Sequence, residues 1–167
     1  MDIAAIEAKT KLILDKNQIS SPFVNVFDIA ATEGIAIKYR KFPLKSRSVS
    51  GFYFPKDKTI YLNVDEPSER QVFTIAHELG HYFLDHKTNE YGVYKRENSY
   101  QGIKHTNEKE ADCFAANLLM PKNMIQEELS RFPFIKEGNP AALLSLRFGV
   151  SNSAMTNRLK NLGIVKR

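Results

Sequence analysis

Short apolar-periodic stretches separated by polar breaks run along this chain, and each stretch predicts one element. Ile3, Ile6, Ile13 and Leu14 lie loosely on one side of a helix over 2–16. Ser20-Ser21-Pro22 predicts the start of a second helix, with Phe27, Ala30 and Ala31 on its apolar side and Gly34 just past its end. A short strand is expected over 35–39. Residues 50–54 and 59–63 read as a hairpin about Pro55-Lys56-Asp57-Lys58, with Phe52 and Phe54 on the apolar face of one strand and Ile60 and Leu62 on that of the other.

A stronger pattern follows. Ser68-Glu69-Arg70-Gln71 reads as a capping box, and Val72, Ile75, Ala76, Leu79 and Phe83 repeat at the spacing of one buried helix face. Residues 87–107 are polar and contain Gly92 and Gly102, which predicts a long loop; a loop of that length inside a compact domain is commonly functional. Asn107 with Glu110 reads as a second capping box, and Ala111, Phe114, Ala115 and Leu118 form another buried face that Pro121 stops. A short helix is expected over 122–130. Two prolines and a glycine in 131–140 predict a boundary between a domain of residues 1–130 and a helical C-terminal segment of residues 131–167, packed on the same domain. Within it, 141–163 reads as helix, turn, helix. Ala142, Leu143 and Leu146 precede a left-handed turn at Gly149, Ser151 caps the second helix, Met155, Leu159 and Leu162 pack, and Arg158 and Lys160 lie towards the exposed side.

Composition narrows the class. The 167 residues suit one domain with an unstapled core, and the single Cys113 argues against a disulfide framework and for a reducing cytoplasm. No apolar run approaches the ~20 residues that span a bilayer, and no signal peptide is visible, so neither a membrane partner nor export is expected. The net charge of +5 sits at the C-terminal end, where seven Lys and Arg in 131–167 face the single Glu137. That leaves open a plain solvated end or a surface for an anionic partner.

The candidate chemistry lies in His77-Glu78-Leu79-Gly80-His81. At about 100° per residue the two histidines sit about 40° apart and one turn along, so both imidazoles can reach one ion. Their side of the helix lies opposite the predicted buried face, which leaves it for a cleft. Hydrolytic zinc takes three protein ligands and keeps a position open. Glu108 and Asp112 share one face of the next helix: Glu108 can be the third ligand, and Asp112 can accept from the outer ring nitrogen of a histidine ligand. Glu110 lies about 200° from Glu108 and reads as the capping-box glutamate. Glu78, beside the open position, suits a general base. Zinc is the preferred cofactor, one per chain, with manganese or iron as substitutes.

A closed structural zinc would need a fourth ligand, for which His86 and His105 are the candidates. His86, near a helix end, reads first as a protonated imidazole facing the helix dipole. Tyr91, Tyr94 and His105 are candidate oxyanion or substrate contacts, with plain loop packing the simpler reading of each. Cys113, about 140° from Glu108, reads as a small core residue.

Phe73-Thr74-Ile75-Ala76-His77-Glu78-Leu79-Gly80-His81 and the later Glu108-x-x-Ala111-Asp112-x-Phe114-Ala115-Ala116-x-Leu118-Leu119-Met120-Pro121 resemble the ImmA/IrrE-type metallopeptidases. Ser50-Gly51-Phe52 and Pro22–Ala30 fit the same pattern, and the resemblance covers about 20–162. It implies an α+β, zincin-like fold with a short sheet, an active-site helix and a C-terminal pair like a helix-turn-helix. It also implies His77, His81 and Glu108 as metal ligands, Glu78 as the base, and Asp112 as the acidic group behind a ligand. The implied activity is zinc-dependent endopeptidase cleavage of a regulatory protein, a helix-turn-helix repressor, in a bacterial, phage or mobile-element switch. Two alternatives stay open: a metallopeptidase-like toxin with its antitoxin, and a DNA- or repressor-binding module with a structural zinc. The pattern Phe148-Gly149-Val150-Ser151-x-x-Ala154-Met155-x-x-Arg158-Leu159 is common in the family, so direct nucleic-acid binding through 141–163 is not favoured.

Overall fold

Helix α1 (Ile3–Lys16) starts where Asp2 accepts a hydrogen bond from the Ala5 amide, and it buries Ile6, Ile13 and Leu14. The structure, a computed structural model, describes residues 1–43, 49–86, 103–132 and 139–165, and of 103–105 the backbone alone. Helix α2 (Val26–Thr32) begins later than Ser20-Ser21-Pro22 suggests. Asn25 is its cap, accepting from the Phe27 amide and donating to Asp28. That frame buries Val26, Ile29 and Ala30 and turns Phe27 and Ala31 outwards. Gly34, with φ 70°, follows its end as predicted.

Strands β1 (Ala36–Arg40), β2 (Gly51–Phe54) and β3 (Thr59–Asn63) form one sheet in the order β1-β3-β2. β3 runs parallel to β1 and antiparallel to β2. The hairpin register sets Tyr53 opposite Ile60 and Phe52 opposite Tyr61. Opposed residues share a face, so buried Tyr53, not Phe52 or Phe54, joins Ile60 and Leu62 in the core. Phe52 instead stacks on Tyr61 across the other face, ring centroids 5.3 Å apart. Phe52-Tyr53-Phe54 is apolar on both faces, so alternation alone cannot choose between them.

Helix α3 (Ser68–Phe83) starts one residue earlier than a capping box requires: Pro67 is the cap residue and Ser68 the first helical one. The Gln71 side chain donates instead to the carbonyls of Asn63 and Glu66, tying the helix start to the end of β3. Helix α4 (Ile103–Leu119) already includes 103–107, so Asn107 is interior and its predicted box with Glu110 does not form. Helix α5 (Lys122–Arg131) follows Pro121, close to the expected span.

Helices α6 (Pro140–Phe148) and α7 (Asn152–Asn161) are joined through Gly149, whose φ of 64° is the predicted left-handed turn, and Ser151 caps α7 by accepting from the Ala154 amide. Two expectations here are overturned. The core side of α6 is Ala141, Leu144, Ser145 and Phe148, whereas Leu143 and Leu146 face solvent. Ala141, Leu144 and Phe148 recur at three and four residues, a longer stripe than the predicted one. Arg158 is buried rather than outward: its Nε donates to the Met120 carbonyl at 3.0 Å and its Nη2 to Asn117 Oδ1 at 2.7 Å. Met120 lies just past α4, where carbonyls lack helical partners, and the guanidinium supplies a donor to this one. Arg147 pairs with buried Glu128 of α5. The result is a mixed α+β fold with one core, to which α1, α2, the sheet and α3 to α7 all contribute. Among the described residues no helix is long and apolar enough to cross a membrane.

Candidate metal centre

The site exists because α3 and α4 cross very closely. At Gly80 an added Cβ would lie 3.1 Å from Ala111 Cα and 3.2 Å from both the Ala111 carbonyl oxygen and Phe114 Cβ. A glycine inside a helix costs about 1 kcal/mol relative to alanine, and here the missing side chain lets the two backbones meet. That contact sets the acidic residues of α4 against the histidines of α3.

His77, His81 and Glu108 each offer one ligand atom, and the three atoms lie within 4.8 Å of one another. His77 Nε2 and His81 Nε2 are 3.1 Å apart, and each lies 3.4 Å from a Glu108 oxygen. Both imidazoles are buried. The predicted division of α3 into a packed face and an open one does not hold, because every residue from Thr74 to His81 is buried. α4 lies against α3 on one side, and on another Glu78 Oε2 accepts the Tyr53 amide of β2 at 2.9 Å.

The protonation of the cluster follows from its geometry. Burial works against a charge on His77, but Asp112, Glu108 and Glu78 outweigh it and push the group up to about 9. His81 goes the other way: burial lowers it, its neighbour His77 adds to the effect, and Glu108 offsets only part. Burial opposes ionisation of Glu108 too, yet the two histidines hold it well below the usual carboxylate range. Two ring nitrogens facing each other at 3.1 Å need one proton between them. A cation can take the place of that proton. Two imidazoles and a carboxylate are a donor set that zinc accepts, so the residues present fit a metal.

Behind the three donors stand further partners. Asp112 Oδ1 accepts from His77 Nδ1 at 2.8 Å. His81 Nδ1 meets His86 Nδ1 at 2.9 Å, and His86 Nε2 meets Glu110 Oε2 at 3.2 Å. Burial pushes His86 down despite Glu110, and its ring is engaged by His81 and Glu110. Glu110 is not a capping residue, since it reaches His86.

Of the residues singled out in the sequence, His77, His81, Glu108 and Asp112 come together, and Glu78 lies beside them against β2. Tyr91 and Tyr94 lie outside the described residues, and of His105 only the backbone, in α4, is described. Cys113 is half-buried and packs against the core. Sequence reasoning passed over Gly80, whose signal was a glycine in mid-helix, and the His86–Glu110 contact, for which no local signal exists.

A small α+β domain that aims two imidazoles from one helix and a carboxylate from a crossing helix at one point has the layout of a metallohydrolase. The peptidase family model described as the IrrE N-terminal-like domain matches residues 32–160. The chain is 31% identical over 102 residues to metallopeptidase ImmA of Bacillus subtilis, covering 61% of this chain and 56% of that protein. It is 34% identical over 130 residues to the radiation response metalloprotease IrrE of Deinococcus radiodurans, covering 75% of this chain and 37% of that protein. A solved structure described as a Mycobacterium tuberculosis transcriptional regulator shares the fold, with a TM-score of 0.64 at 15% identity over 94% of this chain and 46% of its own. The protein belongs to the ImmA/IrrE metallopeptidase family. The match spans about half the length of ImmA and about a third of that of IrrE.

Proposed function

We propose that the protein is a zinc-dependent endopeptidase of the cytoplasm whose substrate is a regulatory protein, a helix-turn-helix repressor. His77, His81 and Glu108 hold the ion in this reading, and Glu78 is the general base. The observation that carries it is the convergence of the three donor atoms within 4.8 Å beside a buried carboxylate, Glu78. The repressor as substrate rests on the family resemblance alone.

Bound there, zinc would supply Lewis acidity, polarising a scissile carbonyl and making a water acidic enough to attack near neutral pH. The rest falls to the chain. Asp112 keeps the His77 proton on Nδ1 and so aims the Nε2 lone pair inward. The Tyr53 amide fixes the Glu78 carboxylate, which takes a proton from the attacking water and returns it to the leaving amine. A catalytic rather than a structural zinc is favoured because the buried carboxylate of Glu78 lies beside the cluster, and His86 addresses the outer nitrogen of His81.

Residues 131–167 belong, in this reading, to the same domain as 1–130, and direct nucleic-acid binding through 141–163 is not favoured. Supporting this, Arg158 and Arg147 are engaged by α4 and α5, and the exposed residues of α7 include one cation, Lys160, beside Asn152, Ser153, Asn157 and Asn161.

The test is Glu78→Gln, incubated with repressors encoded beside the gene and followed by mass spectrometry. Wild type should cut one of them, and the variant should cut about 10²–10⁴-fold more slowly while keeping its metal and its grip on the substrate. Cleavage by the variant at the wild-type rate removes Glu78 from the mechanism.

A further inference from the structure

The acidic residues of Glu108-Lys109-Glu110-Ala111-Asp112 alternate along the first turns of α4, and the proposed metal reading uses only two of them. The third, Glu110, points at His86, and His86 points at His81. His86 is reached through the turn that ends α3, where its amide donates to the His81 carbonyl at 3.1 Å and Asp85 takes φ 52°. The side chain of His86 is almost wholly buried, whereas that of Glu110 is about one-fifth exposed.

We propose that His86 and Glu110 are positioning residues that lock His81 in its ligating tautomer and orientation. The inference rests on the reading of His77, His81 and Glu108 as metal ligands. Its logic is a count of protons. His81 Nε2 faces Glu108 and His77, so as a ligand it must offer a lone pair there, and its one proton sits on Nδ1. That proton points at His86 Nδ1, 2.9 Å away, which must therefore accept. The proton of neutral His86 then lies on Nε2 and is donated to Glu110 Oε2 at 3.2 Å. Each proton has one place, and reversing any bond would set two donors or two lone pairs against each other.

The two ligand histidines are thus backed by α4 in two ways. Asp112 touches His77 directly, at 2.8 Å. Glu110 supports His81 through an interposed imidazole. All three carboxylates of the alternating run then serve one centre, which accounts for a spacing that capping does not explain. Outer partners of this kind hold ring orientation and raise ligand basicity, and their loss typically costs about 10–100-fold in metal affinity or activity.

Zinc-loaded protein tests the idea through two readouts, zinc affinity by competition with a chromophoric chelator and the His81 Nδ1–H signal in ¹H–¹⁵N NMR. Wild type should show a slowly exchanging Nδ1–H on His81. His86→Phe, which keeps a ring but no nitrogen, should lower zinc affinity about 10–100-fold and abolish the slow exchange. His86→Gln, which keeps an acceptor and a donor, should recover most of the affinity and the slow-exchanging proton. If His86→Phe fails to fold, Glu110→Leu breaks the far end of the same chain and should move both readouts in the same direction. A folded His86→Phe with unchanged affinity and an unchanged His81 proton overturns the proposal. So does an equal loss in His86→Phe and His86→Gln with the His81 proton untouched, because that is packing alone. Wild-type protein that takes up no zinc overturns the metal reading itself, and this inference with it.

Discussion

The α3–α4 crossing and the α6–α7 pair both take charged side chains out of water, but they dispose of them differently. At the crossing, ionisable groups from two helices converge on one point, and one proton shared by His77 Nε2 and His81 Nε2 stands where a cation could. At the C-terminal pair the two arginines have different partners: buried Arg158 has a main-chain carbonyl and Asn117, and the more exposed Arg147 reaches buried Glu128. Buried charge is costly in either place. Several donors converging on one point is what marks a site built for a ligand, and a cation with partners of its own is what marks a fastening.

If that contrast holds, the two regions should respond oppositely to substitution. The largest effect is expected for Glu108→Gln, which removes a charged donor and should weaken zinc binding by more than about 100-fold, beyond what outer partners cost. Asp112→Asn should cost about 10–100-fold, because it disturbs His77 without removing a ligand. Calorimetric or chelator-competition titrations give both values, and the reverse order would mean that the wrong carboxylate has been chosen.

The crossing should also be sensitive to pH. His77 is raised from 6.5 to about 9, so the metal-free protein carries that proton at neutral pH. A ligand imidazole must be neutral, so apparent zinc affinity should fall about tenfold for each pH unit below about 9. Linkage fixes the sign for stability as well. A raised folded-state value contributes stability that is fully present below about 6.5 and is lost as pH rises through about 9. Chelator-treated protein should therefore melt lower at pH 9.5 than at pH 6.5, and a higher melting point at pH 9.5 would remove His77 as the group responsible.

Arg158→Met is the counterpart on the other side of the comparison. It leaves the Met120 carbonyl and Asn117 without their donor, which costs about 1–3 kcal/mol. At roughly 2–4 °C per kcal/mol for a chain of this size, the melting temperature should drop by several degrees. Zinc affinity should stay within about twofold of wild type, since outlying sites act independently. A variant that melts normally but loses zinc would erase the distinction between fastening and site.

The crossing was the more legible of the two regions in the sequence. His77 and His81 are spaced by the helix itself, and so are Glu108 and Asp112, so local periodicity is enough to bring each pair onto one face. Gly149 and Ser151 likewise announce their turn and cap. What escaped depends on partners far along the chain. Arg158 looks like a surface cation until Met120, 38 residues away, is seen beside it. His86 and Glu110 are 24 residues apart and meet because Gly80 lets α3 and α4 close up. The start of α2 is ambiguous in the sequence because Ser20, Ser21 and Asn25 can all cap a helix, and the packing of Val26 and Ile29 decides among them.

Metal content tests the central claim most directly. Protein purified without chelators, and the same protein with His81→Ala, should be desalted and analysed for zinc per chain. The account predicts close to one zinc per wild-type chain and almost none in the folded variant, because two donors remain where three are needed. Wild-type protein that holds no zinc even after reconstitution, or a variant that retains it fully, would contradict the assignment of His77, His81 and Glu108 as a metal centre.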